Sequence, residues 1–550
     1  MRLIPLLAIA LAGQSVLAQQ PADLIVVNAN IWTSDVNRPR AEALAVRDGL
    51  IVFVGSRRGA EAMAGPRTER MDVGGLTVIA GMVDAHAHLL NLGLALRRVD
   101  LVGTRSLDDV IARVRARAVD TRSGDWIRGR GWDQNLWADT RFPTHQSLSS
   151  AVPDHPVAMT RVDGHALFVN ARALELAGIT RDTPDPSGGR IIRDADGDAT
   201  GVLVDNAMAL VNRVMARESG DETRAAVLAA IAEANRWGLT GIHDAGVSEG
   251  LLSVYEELAR TGRYPLRNYV MVRDNEATLD RLMERGPRLA VHDRLWVRSI
   301  KISVDGALGS RGAAMIEEYS DEPGVTGLIT FPDSVLRRIA VKALRSGFQL
   351  NVHAIGDRAN RMALDAFEWA LGQAPRGDHR FRVEHAQNLH RQDIPRFAQL
   401  DVIPSMQGSH QTSDMAWVPN RIGWNRSQGA YVWRSLLNTG VVIPNGSDFP
   451  VEQVNPLISF RAFFTRMDNN GWPAGGWFPA ERTTRMEALL SMTLWPAYAA
   501  FMENESGSLT AGKYADFVVL SQDIMTVDER AVLDTEVVMT VLGGHVVYRR

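Results

Sequence analysis

Through the middle of the chain, short apolar segments alternate with segments whose apolar positions recur at helical spacing. This order predicts strands and helices in turn, as in a parallel sheet covered by helices. Helical segments such as 334–347 and 359–372 each end at glycine, a common helix terminator. The predicted strands are 77–86, 239–246, 266–272, 297–306, 348–354, 379–386, 401–406 and 440–448. Eight such units indicate an α/β protein with a TIM (β/α)8 barrel, whose functional side chains lie at the carboxyl ends of the strands.

The two ends of the chain have a different pattern, with short strands separated by tight turns. Asp48-Gly49 and Gly543-Gly544 lie between apolar runs, which predicts a hairpin at each place. We therefore expect one β-sandwich domain built from both chain ends. The interval after the first barrel strand is too long for a loop, so it predicts an inserted subdomain over the barrel mouth. The predicted units are a signal peptide at 1–18, the composite β-sandwich at 19–80 and 506–550, the barrel at 81–123 and 223–505, and the inserted subdomain at 124–222.

The first 18 residues have the pattern of a secretory signal. Arg2 precedes an apolar core, and Val16 and Ala18 occupy the positions expected before a cleavage site at Gln19. A buried helix or a membrane anchor is the alternative, but the apolar run is too short to span a bilayer. We expect cleavage and export to a periplasmic or secreted location, with no membrane anchor after cleavage.

Charge and composition exclude several kinds of partner and site. The net charge of −4 and the mixture of both signs offer no basic stripe for nucleic acid and no polybasic membrane patch. The chain has no cysteine, so disulfides, thiolate nucleophiles and Cys-type metal sites are excluded. Any metal must be held by histidine, carboxylate or a modified side chain. The sequence does not indicate an oligomeric state.

Polar residues end several of the predicted barrel strands. His86 and His88 alternate along one strand, so both side chains face the same way and can reach one metal ion. Glu384 precedes His385, and the same alternation places it on the opposite side of its strand, where an ion pair with a helix is expected. One His-x-His pair is weak evidence for a metal site. Histidine, lysine and aspartate residues at the ends of five predicted strands indicate that these side chains share one site. That set is His86, His88, Lys301, His353, His385 and Asp448.

A second group of residues could contact a substrate at the same mouth. His165 follows an Asp-Gly turn in the insertion and could enter the site, and His410 lies beyond the seventh strand. Arg311 could bind a carboxylate at the rim or form an ion pair in its own turn. His243 and Asp244 are expected to support ligands rather than to bind metal.

The tryptophans are the remaining sequence feature that bears on the kind of substrate. Tryptophans on loops at the barrel mouth would form an apolar lid that favours aromatic or alkyl substituents, although they could equally pack the loops. The candidates are Trp132, Trp137, Trp417, Trp424 and Trp433, with Trp132 included among the substrate-binding residues.

Several segments strongly resemble the metal-dependent amidohydrolase superfamily, in its amidohydrolase-3 or YtcJ-like branch. The segments that carry the resemblance are GMVDAHAH, KISVDGALGSR, NVHAIGD, VEHAQ and GSDFPV, together with GWDQNLW and RVDGHALFVNARAL in the insertion. The resemblance covers nearly the whole chain after the signal. It implies a TIM barrel with a flanking β-sandwich and a site for divalent metal ions.

The resemblance also implies a role for each strand-end residue. His86 and His88 would bind one metal ion, and His353 and His385 a second. Lys301 would bridge the two as a carbamate formed with carbon dioxide, although an ordinary ammonium paired with Asp305, beside a single metal, remains open. Asp448 would contact the first metal and act as acid and base, unless it only caps a helix. Zinc is the first candidate metal, with manganese, iron, cobalt and nickel as alternatives.

The function that these residues predict is metal-dependent hydrolysis of a non-peptide or N-substituted amide C–N bond in a small molecule. An ester, lactone or carbamate could be cleaved by the same polarised carbonyl chemistry. A periplasmic metal- or solute-binding protein without turnover is the alternative from another class, and retention of Asp448 argues against it.

Overall fold

The computed structural model describes residues 20–215, 218–375 and 377–550, so the predicted signal peptide lies outside the described residues. Within these ranges no helix is both long enough and apolar enough to cross a membrane. The architecture combines a central parallel barrel, a β-sandwich beside it and a further mixed sheet. The predicted α/β fold class is confirmed.

The barrel consists of eight parallel strands numbered here in chain order. They are β1 Met82–Ala87, β2 Leu239–Val247, β3 Arg267–Val272, β4 Leu295–Ser303, β5 Gln349–Ala354, β6 Arg382–His385, β7 Ile403–Gln407 and β8 Asn445–Gly446. β8 closes the ring against β1, because the Asp448 backbone N–H donates to the His86 carbonyl at 2.8 Å. Ser447 N–H also donates to the Asp84 carboxylate at 3.0 Å.

Helices surround the barrel and cover its apolar outer face. Ser219, Ser248 and Asn275 each cap a helix by accepting a backbone N–H, as these residue types commonly do. The two helices expected from glycine-terminated patterns are present, the first with Gly347 at its C-cap at φ 74°. The main barrel helices are Gly220–Arg236, Glu249–Arg260, Glu276–Arg285, Asp333–Ser346, Asp357–Leu371, Ile394–Gln399, Trp433–Leu437 and Pro456–Thr465.

Two sheets from both chain ends form the sandwich. One contains Leu50–Gly55, Ala43–Arg47, Ala22–Val27 and Ala64–Asp72, and the other contains His545–Arg549, Val537–Leu542, Phe517–Leu520, Thr77–Ala80, Asn30–Trp32 and Arg40–Ala41. Val26, Val78 and Phe517 are buried together in its core. Both predicted hairpins are present, and their turn residues, including Asp48 and Gly543, have the positive φ angles that such turns require.

The predicted strand 77–86 divides at Gly81 between two sheets. Thr77–Ala80 belongs to the sandwich and Met82–Ala87 to the barrel. A Cβ at Gly81 would lie 2.1 Å from Thr240 Oγ1, so only glycine permits the chain to pass here. One continuous apolar run therefore links the two structural units.

The segment between β1 and β2 forms a six-stranded sheet over the barrel mouth. Its strands, in spatial order, are Gly189–Arg193, Ala199–Asp205, Ala166–Val169, Val157–Arg161, Ile127–Trp132 and Val99–Asp100. The helix Leu107–Val119 packs into the same core through Val110 and Val114. This sheet therefore begins before residue 124, the expected start of the insertion.

Candidate metal centre

The six side chains predicted at strand ends converge at one end of the barrel. β1 ends beside His86 and His88, β4 carries Lys301, β5 carries His353, β6 ends at His385, and Asp448 follows β8. Parallel strands present their carboxyl ends at the same face, so residues hundreds of positions apart become neighbours.

Asp448 lies between two groups of imidazoles. Its Oδ1 is 3.0 Å from His88 Nε2 and 3.7 Å from His86 Nε2, and its Oδ2 is 3.8 Å from His410 Nε2. The ligand atoms of His86, His88 and Asp448 lie within 4.8 Å of one another, and so do those of His385, His410 and Asp448. One carboxylate thus faces two places where a cation could be held.

Lys301 is buried beside the first group. Its Nζ lies 3.3 Å from His86 Nε2, and burial lowers the pKa of Lys301 to about 8. Asp305 does not take up an ion pair with this lysine. Its carboxylate instead accepts backbone N–H groups of Ala314 at 2.9 Å and Gly356 at 2.8 Å, which fixes the loop after β4.

The remaining imidazoles are buried and close to one another. The ring centroids of His353 and His385 are 4.5 Å apart, and those of His86 and His385 are 4.8 Å apart. Burial lowers the pKa of His353 and of His385 well below the ordinary value, which keeps both rings neutral. Neutral imidazole is the form that binds metal.

Among the described residues, two buried imidazole nitrogens of this cluster have no hydrogen-bond partner. They are Nε2 of His353 and Nε2 of His410. Buried polar atoms are normally satisfied, so each unsatisfied one needs an explanation. Imidazole nitrogens and carboxylate oxygens that converge in this way fit a divalent cation, since both are ligands that such ions accept.

Two of the imidazoles are oriented by hydrogen bonds on their other nitrogen. His86 Nδ1 donates to Glu384 at 2.6 Å, and His385 Nδ1 donates to Gln407 Oε1 at 2.8 Å. In both cases the Nε2 lone pair is left free to face the centre. Metal-binding histidines are typically oriented by partners of this kind.

The predicted position of Glu384 is wrong. We expected it on the side opposite His385, facing a helix, but both residues face the barrel interior and contact His86. Strict alternation holds only for extended backbone, and the chain leaves that region where His385 has φ 75° and Ala386 has φ 44°. The bend turns the His385 side chain into the mouth.

A buried network continues beneath Glu384. Arg382 Nε lies 2.8 Å from Glu384 Oε1, and an Nη1–H of Arg382 donates to His243 Nδ1 at 2.9 Å. Burial alone would raise the pKa of Glu384, but Arg382 and His86 outweigh it and hold the pKa well below the ordinary value. Asp244 accepts the Tyr255 hydroxyl at 2.7 Å. His243 and Asp244 therefore belong to neither group around Asp448.

Two of the predicted substrate-contacting histidines lie at the site. His410 stacks on His385 with centroids 5.8 Å apart. His165 enters from the insertion, with its ring centroid 5.2 Å from that of His353.

Trp132 does not contact the mouth as we expected. Its ring is fully buried in the core of the inserted sheet, where Nε1 donates to the Met159 carbonyl at 2.8 Å. Trp137 lies in the same core, and Trp433 stacks on Phe463. The N–H groups of Trp132 and Trp137 donate to backbone carbonyls, which suits large rings that pack a core, whereas Trp433 is buried through its ring contacts. The indole lid is therefore wrong for these three, while Trp417 is partly buried and Trp424 is mostly exposed.

Arg311 is occupied by carboxylates of its own loop. It donates to Asp321 through Nε at 3.2 Å and Nη2 at 3.0 Å, and its Nε lies 3.1 Å from Glu322. Arg311 therefore forms ion pairs within its own loop, which was the alternative expected for it. The prediction that it binds a substrate carboxylate is wrong.

Several residues of the site could not be identified from the sequence. Asp84 ties β1 to β8 by accepting from Ser447, Arg130 donates to the Pro450 carbonyl, and Gln407 orients His385. Asp84 lies within the same short motif as His86, which was the only available hint. The others depend on contacts between distant segments.

Comparison with known proteins agrees with this geometry. Residues 69–548 match the model of the Amidohydrolase family. The chain is 33% identical over 528 residues to the YtcJ protein of Bacillus subtilis, named as an amidohydrolase, covering 94% of this chain and 98% of that one. It is 29% identical over 559 residues to the N-substituted formamide deformylase of Arthrobacter pascens, covering 96% and 99%.

A solved structure shows the same fold. The uncharacterized metal-dependent hydrolase from Pyrococcus furiosus superposes with a TM-score of 0.72 at 27% identity, covering 92% of this chain and 100% of that one. The resemblance noted in the strand-end motifs is thereby confirmed. The chain belongs to the amidohydrolase family and is a hydrolase.

Proposed function

We propose that this protein is an exported enzyme that uses two divalent metal ions to hydrolyse the C–N bond of N-substituted amides. The position of Asp448 is the observation that carries the proposal, because its two oxygens face two separate groups of imidazoles. Export rests on the signal pattern of residues 1–18, and a mature chain that begins at Gln19 is the expected result of N-terminal sequencing. A chain that stays in the cytoplasm and retains Met1 would contradict export.

The distances around Asp448 support the first ligand set, in which His86 and His88 with Asp448 would hold one ion. The second set follows the resemblance to the family: His353 and His385 would hold the second ion, with Lys301 between the two. The distances also place His410 beside His385 and Asp448. Zinc suits these nitrogen and oxygen donors, as do manganese, iron, cobalt and nickel. Ions bound there would lower the pKa of a water and polarise the substrate carbonyl.

Lys301 would serve as the bridge after its amine combines with carbon dioxide, forming a carbamate and releasing a proton. The chain contains three lysines, at 301, 342 and 513, and uses arginine at its other basic positions. An amine forms this bond whereas a charged guanidinium does not. Burial of Lys301 favours its neutral amine, which is the form that reacts.

Asp448 would move the proton during hydrolysis. As water adds to the carbonyl carbon, the carboxylate accepts one proton from it. The C–N bond then breaks, and the same proton passes to the leaving nitrogen, so that the products are an acid and an amine. His88 lies 3.0 Å from the Asp448 carboxylate and favours its ionised form.

The substrate class is proposed from the relative that acts on N-substituted formamides. A small N-alkyl or N-benzyl formamide is therefore the first compound to test. Formate and the free amine are the expected products, and each can be measured separately.

The test uses the purified, metal-loaded protein with N-benzylformamide and other N-substituted amides. We expect release of formate and benzylamine, and a loss of about 10²- to 10⁴-fold in kcat for Asp448→Asn. Asp108→Asn, an exposed carboxylate in a surface helix, should retain the wild-type rate. Turnover of esters or lactones alone, or of no compound by fully loaded protein, would overturn the proposal.

A further inference from the structure

Asn351 is a buried asparagine of β5 whose side-chain amide has no partner. None of its surface is exposed, and neither Nδ2 nor Oδ1 makes a hydrogen bond within the described ranges of the chain. Buried amides are normally hydrogen-bonded, because an unpaired donor or acceptor away from water costs free energy. The amide therefore indicates that a group offering both a donor and an acceptor belongs beside it.

The side chain of Asn351 faces the interior of the barrel, one layer below His353. The two residues are separated by one position on the same strand, so alternation directs both to the same face. In the parallel pairing of β4 with β5, Asn351 is the register partner of Lys301, and paired strands lie about 4.8 Å apart. The amide and the lysine are therefore neighbours on the inner wall of the barrel.

The other polar neighbours on this wall are engaged elsewhere. Arg382, the register partner of Asn351 on β6, directs all three guanidinium nitrogens to other residues. Gln349, two positions earlier on β5, donates to two backbone carbonyls and accepts a tyrosine hydroxyl. Lys301 Nζ, by contrast, is within hydrogen-bond distance of one group of the described residues, His86 Nε2 at 3.3 Å. Lys301 is thus the neighbour with bonds still to make.

A carbamate on Lys301 would offer what the amide lacks. When carbon dioxide adds to the neutral amine, a bond forms between Nζ and the carbon. One C=O bond becomes a single bond that carries the negative charge, and Nζ releases one proton to solvent. The product has an N–H donor and two oxygens that accept. An ammonium has donors alone, so it could satisfy Oδ1 of Asn351 but would leave Nδ2 unpaired.

We propose that Asn351 is a positioning residue for the carbamate of Lys301, whose N–H it accepts at Oδ1 and one of whose oxygens it contacts through Nδ2–H. The inference rests on the proposed function, in which Lys301 carries that carbamate. The amide orients the group and stabilises it relative to the ammonium form, because the ammonium cannot satisfy Nδ2.

The test measures carbamate formation rather than activity. Metal-free protein is loaded with zinc in buffer freed of carbon dioxide, isotope-labelled bicarbonate is added in steps, and the carbamate carbon is followed by NMR. We expect one carbamate signal in the wild type and none in Lys301→Ala. In Asn351→Leu the half-saturating bicarbonate concentration should rise about 10- to 100-fold, the range for a lost hydrogen bond to a charged group.

A second variant of nearly unchanged size guards against misfolding of the first. Asn351→Asp lacks the Nδ2 donor and places another negative charge beside the carbamate, so its half-saturating bicarbonate concentration should rise further. Zinc content should follow the carbamate signal in both variants and recover at high bicarbonate. Recovery of this kind distinguishes a weakened carbamate from a damaged fold, which thermal unfolding monitors separately.

Asn235→Leu is the matched control. Asn235 is also buried with an unpartnered amide oxygen, but it lies on the barrel helix Gly220–Arg236, outside the inner wall. This variant should keep the bicarbonate dependence of the wild type. An equal rise in Asn235→Leu would overturn the inference, since the loss of any buried amide would then have the same effect.

The remaining outcomes separate this inference from the proposed function. Wild-type bicarbonate dependence in a folded Asn351 variant would overturn the role of Asn351, leaving water as the partner of its amide and amide hydrolysis unaffected. A wild type without a carbamate signal would overturn both the Lys301 bridge and the role of Asn351. A wild type that hydrolyses no amide, with the Asn351 effect intact, would contradict the proposed function alone.

Discussion

His86 depends on residues that lie far from it in the chain. Its Nδ1 is bonded to Glu384, and its Nε2 faces Lys301 and Asp448. The His-x-His spacing predicts that two imidazoles share a face, but it does not indicate which nitrogen faces the metal. That orientation comes from a carboxylate 298 positions away.

Replacing Glu384 by glutamine tests this orientation. The amide keeps the shape of the side chain but removes the charge that favours the Nδ1–H tautomer of His86. We expect metal affinity to fall about 10- to 100-fold, measured by competition with a chromophoric chelator.

Glu368→Gln is the matched control, because Glu368 is exposed on a barrel helix and pairs only with Arg396 among the contacts described. Thermal unfolding of both variants separates a local effect from loss of the fold. Wild-type metal affinity in a folded Glu384→Gln variant would show that this carboxylate does not orient the ligand.

β8 is the shortest strand of the barrel, yet it completes the candidate metal centre. Only Asn445–Gly446 forms it, and the ring closes through the bonds from Ser447 and Asp448 to β1. A Cβ at Gly446 would lie 2.5 Å from the His86 backbone nitrogen and 2.8 Å from Asp84 Oδ1. The glycine therefore permits the approach that brings Asp448 to the histidines.

Gly446→Ala should separate β8 from β1. We expect a loss of stability of about 1–3 kcal/mol, the usual cost of overpacking, together with weaker metal binding. Urea unfolding and metal analysis measure the two effects. Gly250→Ala is the control: apart from its chain neighbours and the backbone of its own helix, no atom of the described residues lies within 4 Å of its added Cβ, and alanine favours the helix that contains it. Unchanged stability and metal content in Gly446→Ala would show that the close approach is unnecessary.

Much of the element order could be predicted because each strand carries its own apolar pattern and turn residues. The sequence could not show that residues 77–86 divide between two sheets, since the division depends on the close contact of Gly81 with Thr240. Nor could it show the direction of Glu384, which depends on a local bend after β6. The positions of the tryptophans were misleading. A tryptophan buried in the core of the inserted sheet and a tryptophan exposed at the barrel mouth have the same sequence pattern.

At the scale of the whole molecule, one centre is assembled from several units. The barrel contributes the strand-end residues, and the inserted sheet contributes His165. The sandwich is fixed to the barrel by the buried pair of Arg267 and Asp516, with Nε and Oδ2 2.5 Å apart. The Asp516 carbonyl also accepts the backbone N–H of Gly81, just before β1. The start of β1, which carries His86, is thereby attached to the sandwich.

The most direct test of the two-metal centre is elemental analysis of the mature protein purified without chelator. We expect about two metal equivalents per chain in the wild type, a clear fall in Lys301→Ala, and near-retention in Asp448→Asn, which keeps one oxygen ligand. Lys342→Ala, a partly exposed lysine paired with Asp280, should resemble the wild type. One equivalent that is unaffected by Lys301→Ala would contradict the bridged centre, and no metal uptake at all would contradict the metal-dependent mechanism.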